Sequence, residues 1–144
     1  MKVGHYIRVF LLGLVLFGQN CAATTITYTA SNIGGTSYAF NYKVTNDSLD
    51  RSIQQITIYF DPEHFTNVQL GDTQPSGWED AFVVPSDPIL LPGLSGFAFF
   101  DTFSPTGIGI GSTLGGFTLI ADLIGAAPPP GQVFHIVDPT TFAT

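Results

Sequence analysis

Two stretches near the start of this chain alternate apolar and polar residues with a period of two, and only an extended strand puts every second side chain on one face. In the first, Ile26, Tyr28 and Ala30 point one way while Thr25, Thr27 and Thr29 point the other. In the second, Tyr38, Phe40, Tyr42 and Val44 alternate with Ala39, Asn41, Lys43 and Thr45. Between them, Asn32-Ile33-Gly34-Gly35-Thr36 carries a Gly-Gly turn, so the pair reads as a hairpin.

The same grammar continues. After a turn-rich loop, Asn46-Asp47-Ser48-Leu49-Asp50, a third strand places Ile56, Ile58 and Phe60 against Gln55, Thr57 and Tyr59. Asp61-Pro62-Glu63-His64 ends it, because proline removes a ladder donor and restrains the residue before it. Further strands are predicted over Phe65–Leu70, Ala81–Val84, Gly96–Phe103, Phe117–Leu123 and Gln132–Val137. Gly71–Trp78 reads as loop, Gly107–Gly116 as a glycine-rich bend, and prolines 85, 88 and 92 exclude a central strand over Pro85–Gly93. About eight short strands with no long helix predict an all-β fold: an antiparallel β-sandwich, Ig-like or jelly-roll, with two sheets sharing one core.

Residues 1–23 read as an export signal. Lys2, His5 and Arg8 lie before or at the edge of an apolar run, Val9–Phe17, and Cys21-Ala22-Ala23 supplies small residues for cleavage. That run covers about 14 Å of a hydrocarbon core near 30 Å thick, too little for a transmembrane anchor. Gly18-Gln19-Asn20 ahead of Cys21 matches a lipoprotein signal poorly, so cleavage after Ala23 is expected, leaving one domain over residues 24–144. The only cysteine departs with the leader, and the domain must hold together by burying apolar surface, with phenylalanine and tyrosine as the obvious supply. Lys43 and Arg51 then stand against all 11 acidic residues, a formal charge of −9 that repels phosphate backbones and argues against nucleic-acid binding.

Catalytic sets are sparse. His64 and His135 are the only histidines after the leader, and there is no phosphate-cradling Gly-Lys-Ser/Thr, no His-Glu-x-x-His and no Gly-x-Ser-x-Gly elbow. His135, between Phe134 and Ile136, reads as a packed or surface residue. Carboxylates gather in loops: Asp47 with Asp50, Asp61 with Glu63, and Asp72 with Glu79 and Asp80. Asp61, Glu63 and Asp72 are the candidate metal ligands, calcium being the ion that hard oxygens suit, although no segment has the spaced ladder with a closing Glu. Trp78, in Ser76-Gly77-Trp78-Glu79-Asp80, sets an aromatic plane beside acceptors. It serves either as a stacking platform for a sugar, with Glu79 and Asp80 as partners, or as a cap on the core. Asn46-Asp47-Ser48 fits a glycosylation sequon.

Several motifs stand in a telling order: Tyr42-Lys43-Val44-Thr45-Asn46-Asp47-Ser48, Ile56-Thr57-Ile58-Tyr59-Phe60-Asp61, Pro75-Ser76-Gly77-Trp78, Asp87-Pro88 and Phe134-His135-Ile136-Val137-Asp138-Pro139. In these the chain resembles exported bacterial proteins of the PEP-CTERM, exosortase-sorted type. That resemblance implies a sandwich-like domain at the cell surface or in the extracellular matrix, and it carries over no catalytic residue. The Pro-Glu-Pro tail of such proteins is missing before Thr144, so the expectation is a tailless relative or a shortened reading frame.

Together these features predict an exported, non-enzymatic β-sandwich, a structural or interaction module of the cell surface or matrix without a required cofactor. Its expected partners are polysaccharide or another surface protein. The alternative is a carbohydrate-binding module whose loops calcium stabilises.

Overall fold

The computed structural model describes residues 24–47, 49–86, 93–125 and 127–137. Residues 1–23, read above as an export signal with Cys21, lie outside the described residues, as do Ser48, Asp87-Pro88 and Asp138-Pro139. Among those described there are eight strands and no helix: β1 (Thr25–Gly34), β2 (Ser37–Thr45), β3 (Ile53–Phe60), β4 (Phe65–Leu70), β5 (Phe82–Val84), β6 (Ala98–Ile108), β7 (Thr113–Leu123) and β8 (Val133–Val137). They form two four-stranded antiparallel sheets, sheet A in the order β1-β2-β7-β4 and sheet B in the order β5-β6-β3-β8. Only β1–β2 and β5–β6 are hairpins within a sheet. Every other connection crosses between sheets, a winding nearer to a jelly roll than to an Ig-like domain.

Alternation places the core where the two inner faces meet. Sheet A contributes Phe40, Tyr42, Val44, Phe65, Phe117 and Leu119; sheet B contributes Ile56, Ile58, Phe60 and Phe100. The rings interlock across the interface: Phe40 meets Phe60 at 6.2 Å, Phe60 meets Phe65 at 5.4 Å and Phe100 meets Phe117 at 6.5 Å, each near edge-to-face. That geometry sets the positive edge of one ring on the negative face of another, and each such pair contributes about 0.5–1.5 kcal/mol beyond area burial. This aromatic interior does the work that disulfides do in many small secreted domains.

Strand boundaries depart from the sequence reading in one instructive place. The predicted strand Gly96–Phe103 runs on as β6 to Ile108, because Ser104–Gly107 bulges out opposite Gln54 and the ladder resumes at Ile108 opposite Ile53. Pro105 sits in that bulge, where no backbone donor is required and its carbonyl accepts a 2.6 Å bond from Gln54 Nε2. Gly107 has φ +66°, and a Cβ there would run into the Ile53 carbonyl, so the bulge needs a glycine.

Asn46 ties the two sheets together at one end. It is fully buried, and its Nδ2 donates to the carbonyls of Arg51 (2.8 Å), just before β3, and Ile108 (2.9 Å), at the end of β6. Its backbone N–H donates to Ser112 O at 2.9 Å and its carbonyl accepts from Gly111 N at 2.7 Å. In the folded domain the sequon asparagine is therefore not displayed: both Nδ2 hydrogens, one of which a glycan bond would replace, are engaged inside the fold.

Candidate functional site

Trp78 sits inside the sandwich. It is 2% exposed, and its ring meets Phe117 edge-to-face at 5.4 Å. Its backbone N–H donates to Pro75 O at 2.9 Å, closing a turn within the loop between β4 and β5, and its carbonyl accepts from Thr102 Oγ1 at 3.1 Å, which ties that loop to sheet B. Of the two roles read from sequence, the geometry is that of a core cap, because a buried ring offers no face to a sugar. Glu79 and Asp80 follow it on the surface. Glu79 Oε2 accepts from Gly77 N at 2.7 Å, and this bond, with further backbone donors at Glu79 and Trp78, holds its carboxyl below the usual range.

The carboxylates read as metal candidates are not brought together. Asp61 closes the β3–β4 turn: Oδ1 accepts from Glu63 N at 2.9 Å, and its carbonyl accepts from His64 N and Phe65 N. Asp72 lies past the far end of β4, whose six residues rise roughly 20 Å, too far for one ion to bridge. No three His, Cys, Asp or Glu side chains gather in a metal-holding group among the described residues.

A cleft of about 420 Å³ opens along the β4 side of the sandwich, with Ser37, Asn67, Ala98 and Asp122 in its wall. Its acid is already occupied. Asp122 accepts from Ser37 Oγ and from Asn67 Nδ2, and these bonds, Ser37 first, hold its carboxyl below the usual range. Asn67 reaches it at 2.6 Å from a left-handed backbone, φ +52°, in a bulge of β4.

The outer face of sheet B is different in kind. Strand register sets its residues in rows across the sheet: Val84, Phe99, Tyr59 and Val133 in one, then Phe82, Asp101, Thr57 and His135, then Phe103 beside Gln55. Phe82, Phe103 and Val133 are 47%, 44% and 47% exposed, a concentration of displayed apolar side chains. Rings run across the strands without a break, Phe82 to Phe99 at 6.2 Å, Phe99 to Tyr59 at 6.2 Å and Tyr59 to His135 at 5.1 Å. Asp101 lies at the centre, flanked along β6 by Phe99 and Phe103 and across the ladder by Phe82. Its Oδ1 accepts from Thr57 Oγ1 at 2.7 Å and from Gln55 Nε2 at 3.2 Å, and Oδ2 accepts from the same amide at 3.2 Å. Tyr59 forms the floor; burial first, then the Asp101 charge, pushes its phenol up. No lysine or arginine stands among these residues.

The outer face of sheet A has no such display. Thr25, Thr27, Thr29, Asn41, Lys43, Thr118 and Asp122 dominate it, and its apolar residues Ala39 and Ile120 are only partly exposed. Of the sheet B face residues only His135 is weighed for a role from sequence, and it reads there as a packed or surface residue and not as part of a site. The signal available was Asp101 within Phe97-Ala98-Phe99-Phe100-Asp101-Thr102-Phe103, a charge in the most aromatic strand of the chain.

No protein-family model and no curated protein sequence matches this chain. Among solved structures it is similar to the solution structure of the chitin-binding domain of Chi18aC from Streptomyces coelicolor. The TM-score is 0.47 at 13% identity, over 78% of this chain and 90% of that one.

Proposed function

We propose that this protein is an exported, non-catalytic interaction module of the cell surface or extracellular matrix, and that the outer face of sheet B is its working surface. The observation that carries this reading is the asymmetry of the two outer faces: half-exposed phenylalanines cluster on sheet B and are absent from sheet A. An apolar cluster rimmed by polar groups is held on a soluble surface against its hydration cost, which is the mark of a contact surface. The arrangement of the titratable groups supports a binding role rather than turnover. His64 lies exposed in the β3–β4 turn, His135 packs on Tyr59, and Asp101, Asp122, Asp61 and Glu79 each accept bonds from their own neighbours.

The test is retention on washed extracellular material from the producing organism, comparing wild type with the double variant Phe82→Ser, Phe103→Ser. Retention should fall at least tenfold in the variant while its circular dichroism stays that of the wild type. Equal retention of the two proteins would overturn the proposal.

A further inference from the structure

Resting on that proposed surface, we infer that its occupant is an uncharged polysaccharide, held by the rings of Phe82, Phe99 and Phe103 against the apolar faces of its sugars and by Asp101 as hydroxyl acceptor. Three properties of the face select this chemistry.

Charge comes first. The only formal charge among the face residues is Asp101, no lysine or arginine lies beside it, and the residues from Thr24 onward carry Lys43 and Arg51 alone as basic groups. Lys43 is on the outer face of sheet A, and Arg51 reaches Asp50 at 3.4 Å. An anionic polymer therefore meets repulsion with no compensating cation. Asp101 accepts three bonds from Thr57 and Gln55, and a neutral sugar supplies a hydroxyl donor for the one lone-pair position these leave open on Oδ2.

Area comes second. Four strands about 4.8 Å apart and three alternate residues along a strand frame about 15 by 13 Å, on the order of 200 Å². Doubled to allow for side-chain reach, this is still about half of the roughly 800 Å² that each partner gives to a standard protein interface. It suits a few sugar rings rather than a folded domain.

Symmetry comes third. A second copy of this chain would dock face to face about a two-fold axis, and Asp101 lies at the centre of the face. Such a pairing brings two carboxylates together in a desolvated interface, with no cation on either side to relieve them. Self-association through this face is thus disfavoured by the same residue that suits a polyhydroxyl ligand.

The experiment is affinity gel electrophoresis of the purified protein through amylose, xyloglucan and hydroxyethyl cellulose, with alginate and dextran sulfate as anionic comparators. Wild type, Phe82→Ser with Phe103→Ser, Asp101→Asn and the opposite-face control Thr27→Ala with Thr29→Ala are run in parallel, each checked by thermal unfolding. We expect retardation by at least one neutral polymer and none by the anionic ones. The phenylalanine pair should weaken that binding at least tenfold and Asp101→Asn severalfold, with the threonine pair unchanged. Binding that survives the sheet B variants, or that prefers the anionic polymers, overturns the inference. Absence of retardation by every neutral polymer, with retention on extracellular material still lost in the phenylalanine pair, also overturns it while leaving the working surface intact. No retardation by any neutral polymer, together with equal retention of wild type and the phenylalanine pair on extracellular material, would remove that surface too.

Discussion

The two outer faces of the sandwich share strand geometry and solvent exposure yet differ in what they display. Sheet A shows threonine, asparagine and a lone lysine; sheet B shows half-exposed phenylalanines around one carboxylate. Threonine suits an exposed strand position, since its branched Cβ favours the pleat and its hydroxyl stays hydrated. Phenylalanine at the same kind of position leaves apolar surface in water and gains nothing from the core. The contrast teaches that identical residue types serve two separate purposes here: inside, rings hold the sheets together; outside sheet B, they are free to contact something else.

That division breaks if interior and surface rings respond alike to truncation. The largest effect is expected from Trp78→Ala, which leaves a cavity beside Phe117 and should cost about 3–5 kcal/mol in denaturant unfolding. Asn46→Ala strands the carbonyls of Arg51 and Ile108 where the sheets join, and about 2 kcal/mol should be lost in the same assay. Phe82→Ser and Phe103→Ser, each alone, should stay within about 1 kcal/mol of wild type, because only cross-strand contacts on an open face are removed. A loss near that of Trp78→Ala would place these rings in the structural set and erase the distinction.

Proton linkage sharpens the comparison further. Burial, then the neighbouring Tyr28, pushes the Tyr42 phenol well above its ordinary value near 10, and Tyr59 on the sheet B face is raised as well. A folded value above the unfolded one means that stability is intact below about pH 10 and declines as pH rises beyond it. Alkaline unfolding should therefore shift to higher pH in Tyr42→Phe, which itself should lie within about 1 kcal/mol of wild type at neutral pH. On the sheet A side the sign is opposite. Asp122 is held low by Ser37 and Asn67, so its contribution is present above the ordinary carboxylate range and is lost as pH falls toward its folded value. Ser37→Ala should shrink that acid-side loss, the smallest of these effects, in thermal melts between pH 5 and pH 2.

How far the sequence foretells all this depends on the polarity of the face that looks outward. In β1 and β2 the outward residues are threonine, asparagine and lysine, so alternation alone assigns Ile26, Tyr28, Phe40, Tyr42 and Val44 to the core, where they pack. In β6, Phe99 and Phe100 are consecutive and both faces are aromatic, so periodicity cannot say which ring is inside. Pairing of Phe99 with Tyr59 and of Phe100 with Ile58 resolves it, and that is a tertiary fact. The same limit hid the face around Asp101. Trp78 illustrates the converse: a loop position amid Gly77, Glu79 and Asp80 suggests display, but the ring packs inward on Phe117 while Thr102 holds its backbone to sheet B. The strand that the sequence predicts over Phe65–Leu70 already stands between Asp61 and Asp72, and as β4 its length holds the two carboxylates at opposite ends.

The most direct measurement is an amide chemical-shift titration of the isotopically labelled protein with a neutral oligosaccharide cut from the polymer that retards it. We expect the shifts to concentrate at Tyr59, Phe82, Phe99, Asp101 and Phe103, with Thr25, Thr27 and Thr29 silent. Shifts centred instead on the threonine face, or on Ser37, Asn67 and Asp122 beside the cleft, would contradict the assignment of function to the outer face of sheet B.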